Sequence, residues 1–251
     1  MPFVRTPAVC LRKTDFSEAS QVLHFFTREA GRISCIAKGS KRRRRAFPVP
    51  FDLLGIYDLV RLEKKPGTLD VVAQAERIRA FPRLAADFGR FAAACYAAEF
   101  VDAFAPEGMP VEALYDRLVE VLERLEGGTP LPDALFSFET RALRALGYFP
   151  RVRECGICRR EVRPPDAYFA PRDGGAVCTG CRPRREPWFP VRRVTLEAIA
   201  RFGEGDMPRE PLKPPLVTEL RQVLDACVRH HLERELQSAR FVREALFHPA
   251  P

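Results

Sequence analysis

Two Cys-x2-Cys pairs set the tightest constraint on this chain: Cys155 and Cys158 in "ECGICRR", Cys178 and Cys181 in "VCTGCRP", with 19 residues between the pairs. Two intervening residues let both sulfurs of a pair turn towards one ion, and two such knuckles complete a tetrahedron of thiolates around Zn2+. Any fold of this chain therefore has to bring Cys155, Cys158, Cys178 and Cys181 to one point. Four thiolates leave no open coordination position, so zinc held there is structural and not catalytic. Two disulfides or an iron–sulfur cluster are the alternatives. Gly156 and Gly180 sit inside the knuckles, where backbone amides are expected to approach sulfur closely. Arg151, Arg153, Arg159, Arg160, Arg163, Arg182, Arg184 and Arg185 surround them and favour the thiolate form. The other cysteines, Cys10, Cys35, Cys95 and Cys227, lie among apolar neighbours and read as buried free thiols. This usage fits a reducing compartment, where metal is favoured over disulfides.

Around this staple the chain changes character once. Residues 1–80 carry five short β-branched or aromatic runs: "TPAVCLRKTDF", "SQVLHFFTREAG", "GRISCIAKGS", "DLLGIYDLVRLEKK" and "TLDVVAQAERIRAF". In the third run Ile33, Cys35 and Ala37 fall on one face, and Arg32, Ser34, Ile36 and Lys38 on the other. "REAGR" and "KKPGT" are turns. Five strands without a long helix predict a small closed barrel. The OB-fold is the commonest such barrel that binds nucleic acid, with an SH3-like barrel as the alternative. From Phe81 the period becomes helical. Helices are predicted over "PRLAADFGRFAAACYAAEFVDAFAP", "PVEALYDRLVEVLERLEGG" and "PDALFSFETRALRALGYFP", then "TLEAIARFG" with Thr195 as cap. A proline-rich linker, "GDMPREPLKPP", precedes one long final helix. The expected organisation is an α+β chain: an OB-fold barrel over 1–80, then a helical domain over 81–251 with a zinc-binding insert at about 151–193.

Charge is unevenly spread. The net charge is +8, but residues 1–80 carry +8, residues 81–150 carry −5, residues 151–193 carry +6 and the remainder −1. Such polarisation points to a polyanionic partner. Of the 41 basic residues 35 are arginine, whose planar forks match phosphate oxygens. The run "KGSKRRRRAFP" follows a predicted strand and precedes a proline, which places it in a loop on the barrel, where such folds grip nucleic acid. The candidate DNA-binding residues are Lys13, Arg32, Lys38, Lys41, Arg42, Arg43, Arg44 and Arg45. Phe16 and Phe47 are candidate stacking surfaces for bases, against a packing role in the barrel.

The sequence has no phosphate-cradling glycine loop, no His-Glu-x-x-His and no nucleophile elbow. His24, His230, His231 and His248 read as structural or solvated, and Asp116 with Glu120 as a solvated helix face. No acid–base or nucleophilic constellation emerges, so the expectation is a protein that is not an enzyme. The opening residues lack the apolar core of an export signal, and the longest apolar stretch, residues 91–98, is far short of a bilayer span. A cytoplasmic, nucleoid-associated location with no membrane contact follows as an expectation.

Two stretches carry a family resemblance. One is "AVCLRKTDFSEASQVLHFFTREAGRISCIAKGSKR", at Ser17, Glu18, Thr27, Gly31, Lys38 and Gly39. The other is "ALGYFPRVRECGIC", at Leu146, Gly147, Tyr148, Pro150, Cys155 and Cys158. The chain resembles the RecO family of recombination mediators over nearly its whole length. The resemblance implies an OB-fold and a helical domain with a zinc site. It implies binding to single- and double-stranded DNA and annealing of complementary strands. It further implies a complex with RecR and assistance to RecA loading on strands covered by single-strand-binding protein, with RecF, RecA-coated DNA and single-strand-binding protein as further partners. The competing class is a zinc-stabilised adaptor whose basic arm docks acidic partners. A zinc-dependent nucleic-acid enzyme is disfavoured by four cysteine ligands without an adjacent catalytic glutamate.

Overall fold

The structure is a computed structural model that describes residues 2–42, 47–48, 50–65, 67–162, 167–181 and 187–247. The five apolar runs form β1 (Phe3–Asp15), β2 (Gln21–Thr27), β3 (Gly31–Ala37), β4 (Ile56–Leu62) and β5 (Asp70–Arg79). They close into a barrel in the order β1-β2-β3-β5-β4. Strand β1 is 13 residues long because it serves two partners. Its first half pairs with β4 and its second with β2, and the register shifts between Cys10 and Arg12 where the strand bends from one to the other. Closure comes from a short parallel contact, Cys35 opposite Asp70 and Ile36 opposite Val71.

The alternation expected in β3 is present: Ile33, Cys35 and Ala37 are buried, and Arg32, Ser34 and Ile36 are half-buried. The barrel is filled by rings. Phe25 meets Phe51 and Tyr57 edge-on at 6.2 and 6.1 Å, and Phe51 meets Phe47 at 5.1 Å. Burying each such ring is worth about 1.5–3 kcal/mol. Phe47 therefore belongs to the core, 5% exposed, and is not a surface for bases. The Tyr57 hydroxyl accepts the Asp52 amide at 2.6 Å, and burial pushes it up to about 12. Buried Arg61 reaches Asp70 across β4 and β5, and Asp70 also accepts the Lys64 amide at 2.8 Å.

Helices α1 (Pro82–Ala86), α2 (Phe88–Phe104) and α3 (Glu112–Glu126) follow. The single helix expected from Pro82 breaks at Asp87. That residue is extended, and its carboxylate takes the Arg90 amide at 2.9 Å to cap α2 instead. These helices cover one end of the barrel, at the β2–β3 hairpin. Phe26 packs on Tyr115 at 6.1 Å, and Arg28 meets Asp116 at 3.4 Å. Gly31 has φ +65°, and a Cβ there would lie 2.1 Å from the Met109 carbonyl, so only glycine fits. Asp116 is thus an ion-pair partner, and Glu120 bridges Arg117 and Arg124 at 2.5 and 2.8 Å, so neither carboxylate is merely solvated.

The chain divides into two compact units, residues 1–127 and 128–249. The second holds α4 (Leu131–Ala145), a small sheet of β6 (Ala167–Ala170), β7 (Gly175–Cys178) and β8 (Phe189–Val191), and α5 (Arg193–Glu204), α6 (Pro214–Leu232) and α7 (Ala239–Phe247). The sheet order is β7-β6-β8. The expected long final helix is two helices, because Glu233 at φ +55° ends α6. Thr195 is not a cap. Arg192 precedes the helix, and the buried Thr195 hydroxyl donates to Glu219 on α6. Arg221 and Glu139 join α6 to α4 through two hydrogen bonds of 2.9 and 2.7 Å, both residues almost fully buried.

No helix among the described residues is long and apolar enough to cross a membrane. Replacing Arg221 by Met strands a buried carboxylate and is expected to cost about 3–5 kcal/mol; the double variant with Glu139→Leu recovers most of it. Urea unfolding followed by Trp188, the chain's one tryptophan and a member of this unit, measures both. Asp133, in the first turn of α4, is buried with Oδ1 lacking a partner, and burial raises its carboxyl to about 6 from 3.8. The folded unit therefore holds this proton more tightly than the unfolded chain. The group's stabilising share is complete below pH 3.8 and is lost as pH rises through 6. Asp133→Asn is expected to remove that slope and to stabilise the unit at pH 7 by about 1–3 kcal/mol, read from unfolding at pH 4 to 7.

Candidate metal centre and nucleic-acid interface

The four clustered cysteines converge. Helix α4 ends at Ala145, and residues after Gly147 stitch onto β7: the Arg151 amide donates to Gly174 at 2.9 Å and its carbonyl accepts from Ala176 at 2.7 Å. A small hairpin follows, with Cys155 and Arg160 bonded at 2.8 Å and Val162 and Arg153 at 2.9 Å. The Gly156 amide donates to the Ala176 carbonyl at 2.8 Å, which docks the first knuckle on β7. A Cβ on Gly156 would fall 1.8 Å from the Asp173 carbonyl. The glycine is required by that backbone approach and not by sulfur, which corrects the sequence reading. Gly180 has only ordinary contact distance, 4.0 Å, to the Cys178 sulfur.

The sulfurs of Cys155, Cys158, Cys178 and Cys181 all lie within 4.8 Å of one another. Those of Cys158 and Cys178 are 3.8 Å apart, which is the edge of a tetrahedron with bonds of about 2.3 Å. The Cys178 amide and the Arg160 guanidinium each donate to sulfur at 3.5 Å, to Cys155 and Cys158 respectively. The Arg160 contact holds Cys158 down at about 6. Cys181 is pushed up to about 12 by its hydrogen bond with Cys158, because thiols this close share protons when no cation compensates them. A soft divalent ion replaces those shared protons, so the donor set fits Zn2+ and leaves no position for a substrate. Of the flanking arginines only Arg160 meets sulfur among the described residues; Arg153 pairs with Glu204 at 2.7 Å. Arg163, Arg182, Arg184 and Arg185 lie outside the described residues. The other thiols are chemically distinct: burial raises Cys10 and Cys35 to about 12, Cys95 to about 11, and Cys227 as well.

The basic candidates separate into groups. Arg32 starts β3 and donates to the Asp102 carbonyl at 2.6 Å and its carboxylate at 3.0 Å, so it fastens the barrel to α2. It lies about 20 Å along the strand from Lys38. Lys13 donates to the Phe51 carbonyl at 3.1 Å. Lys41 pairs with Asp15 at 2.6 Å and holds that carboxyl below the usual range. Lys38 and Arg42 are exposed and have no carboxylate partner among the described residues. They line a recess of about 400 Å3 with Phe16, Ser17, Ser20, Ile36 and Gly39. Arg43, Arg44 and Arg45 lie outside the described residues. Of the recess wall supplied by the β1–β2 loop, the sequence singled out Phe16 but not the turn that shapes it, although Ser17 marks that turn: its hydroxyl accepts the Ala19 and Ser20 amides at 3.3 and 3.1 Å. The Lys41 amide reaches the Ala19 carbonyl at 3.2 Å and ties the two loops together. Phe16 stands 65% exposed beside them.

The histidines take other roles. His24 pairs with Ser34 across β2 and β3 at 3.0 Å, and His231 stacks on Tyr148 at 4.4 Å. Burial, and then neighbouring His230, lowers the His231 pKa. His248 lies outside the described residues.

Two family models match the chain: "Recombination protein O N terminal" over residues 1–81 and "Recombination protein O C terminal" over residues 85–240. Curated relatives named DNA repair protein RecO align along almost all of it. That of Anaeromyxobacter sp. (strain K) is 34% identical over 247 residues, 97% of each chain. That of Desulforudis audaxviator is 35% identical over 247 residues, 96% of each. That of Symbiobacterium thermophilum is 30% identical over 249 residues, covering 96% of this chain and 97% of the relative.

Cobalt substitution tests the cluster. The native chain is expected to bind a single Co2+ with the intense sulfur-to-metal charge-transfer bands of four thiolates, displaced by Zn2+. Cys155→Ser is expected to weaken those bands and to lose stoichiometric zinc on gel filtration.

Proposed function

The chain belongs to the RecO family of DNA repair proteins, and from that premise we propose that it is a non-enzymatic recombination mediator that binds single- and double-stranded DNA and anneals complementary strands. The observation that carries this reading is the recess where Phe16, Lys38 and Arg42 meet. Two unpaired cations beside an exposed ring are what a single strand needs: phosphates meet charge, and a base meets a π-face. We read the barrel as an OB-fold, supported by its five strands and the closure of β3 on β5. In the sequence Arg42 is followed by Arg43, Arg44 and Arg45, which add three positive charges next to a recess residue along the chain.

Annealing follows from the same electrostatics. Two complementary strands repel through their phosphates, and each lysine or arginine that replaces a condensed counterion lowers that repulsion. Contacts to backbones leave base edges free to pair. The cysteine cluster holds zinc structurally: it fixes the hairpin of residues 153–162 on β7 and takes no part in any reaction. Within the family's repair pathway the chain acts with RecR to assist RecA loading, in contact with RecF and single-strand-binding protein, in the cytoplasm at the nucleoid.

The test is single-stranded DNA binding measured against salt. Lys38→Ala with Arg42→Ala is expected to weaken binding and to lower the slope of log affinity on log salt by about 1.4, two contacts at about 0.7 each. Unchanged affinity and slope would favour the adaptor reading, in which these cations meet an acidic protein instead.

A further inference from the structure

The second unit carries a groove of about 780 Å3 that the cysteine cluster does not use. One side is a single face of α6, where Gln222, Ala226, Arg229 and His230 recur at helical spacing, with Glu233 just past its end. The other side is Phe189 of the edge strand β8, together with Arg172 on the 3-10 turn between β6 and β7. Arg172 and Arg229 are exposed and have no carboxylate partner among the described residues. Glu233 lines the groove without an ion pair to either.

That absence of pairing distinguishes this groove from another of about 740 Å3 in the same unit, between the cysteine hairpin and α5. There the three guanidiniums are already neutralised: Arg153 by Glu204, Arg193 by Glu197 and Arg201 by Asp206. An anion entering that groove has to displace carboxylates. One entering beside Arg172 and Arg229 displaces only water and small ions. Arg229 also stands in the last turn of α6, where its charge offsets the negative end of the helix dipole. Phe189 is half-buried and braced by Phe169 at 5.7 Å, so its ring is held in place.

We infer that this groove is a second binding site for single-stranded nucleic acid. Arg172 and Arg229 hold phosphates of one strand, and a base lies against Phe189. Ala226 keeps the α6 wall low enough for the sugar to approach, and Glu233 accepts from base amino groups. Phosphate charge is the chemistry that two unpaired guanidiniums select, and the ring selects a polymer that carries bases over a bare anion. The site lies wholly within the second unit and does not depend on the barrel recess. A chain with both has a contact for each of two strands.

The experiment uses the full zinc-loaded chain and fluorescein-labelled oligothymidylate over a series of salt concentrations. Arg172→Ala with Arg229→Ala is made in the native chain and in the chain carrying Lys38→Ala and Arg42→Ala. In both backgrounds it is expected to weaken binding about tenfold at low salt and to lower the salt slope by about 1.4. All four positions are exposed, so melting temperatures should not move. Irradiation of an iododeoxyuridine strand is expected to crosslink the peptide holding Phe189, and to do so whether or not the barrel is substituted. Native affinity and slope after the Arg172 and Arg229 changes, with crosslinks confined to the barrel, would overturn the groove and leave the barrel site standing. Loss on the Arg172 and Arg229 changes alone, with the barrel substitutions silent, would support the groove and remove the barrel reading.

Discussion

Two residue pairs close the barrel, and the first unit depends on them. Cys35 opposite Asp70 and Ile36 opposite Val71 are the whole parallel contact between β3 and β5. So small a seam cannot hold by backbone bonds alone. Asp70 sits inside it, bound by the buried Arg61 of β4 and by the Lys64 amide. A carboxylate buried in such a place costs several kcal/mol unless it is paired, and its pairing ties β5, one side of the seam, to β4. The seam fixes where β3 ends. The end of β3 fixes Lys38 and Gly39, and through the Lys41–Ala19 bond it fixes the β1–β2 loop as well. The geometry of the basic recess is thus downstream of one buried ion pair on the far side of two strands.

The parts of this fold that were legible in the sequence are those where one local rule acts alone. The five strands were visible because β-branched runs alternate between turn residues. The convergence of the four cysteines was visible because Cys-x2-Cys admits few geometries. The failures came where a tertiary contact outbid the local pattern. Helical periodicity runs through Asp87 and Glu233 without interruption, yet one carboxylate caps the next helix and the other residue turns left-handed. Thr195 has the sequence context of a cap, but its hydroxyl finds Glu219 from a helix 24 residues away. Phe47 sits beside a basic run like a surface residue, and the barrel needed a fourth ring. Arg32 looked like its basic neighbours because composition does not say which end of a strand faces helices. The groove between β8 and α6 joins segments some forty to sixty residues apart, and no short window of sequence shows it.

Net charge turned out to be a poorer guide than pairing. In the basic barrel and in the basic segment over residues 151–193, several arginines end on carboxylates: Arg5 on Asp58, Arg77 on Asp52, Arg192 on Glu219. Those ion pairs are partly exposed and individually worth little to stability. Their effect on recognition is larger, since a paired guanidinium presents little field to a phosphate. Lys38, Arg42, Arg172 and Arg229 combine two features: each lines a recess or groove, and none has a carboxylate partner among the described residues.

The helical cover on the β2–β3 hairpin has an electrical side. Residues 81–127 hold four arginines against nine carboxylates, a charge of −5, while residues 1–80 carry +8. Asp102 and Asp116, which fasten Arg32 and Arg28, are part of that negative cap. The charge of the first unit is therefore unevenly shared, with the helical cover over the hairpin acidic and the strand-bearing segment basic. A strand of nucleic acid diffusing past such a body exerts a torque on it before any contact forms. On the proposed nucleic-acid binding, the unit would arrive already turned, recess first, with a rate of productive encounter above what random orientation allows.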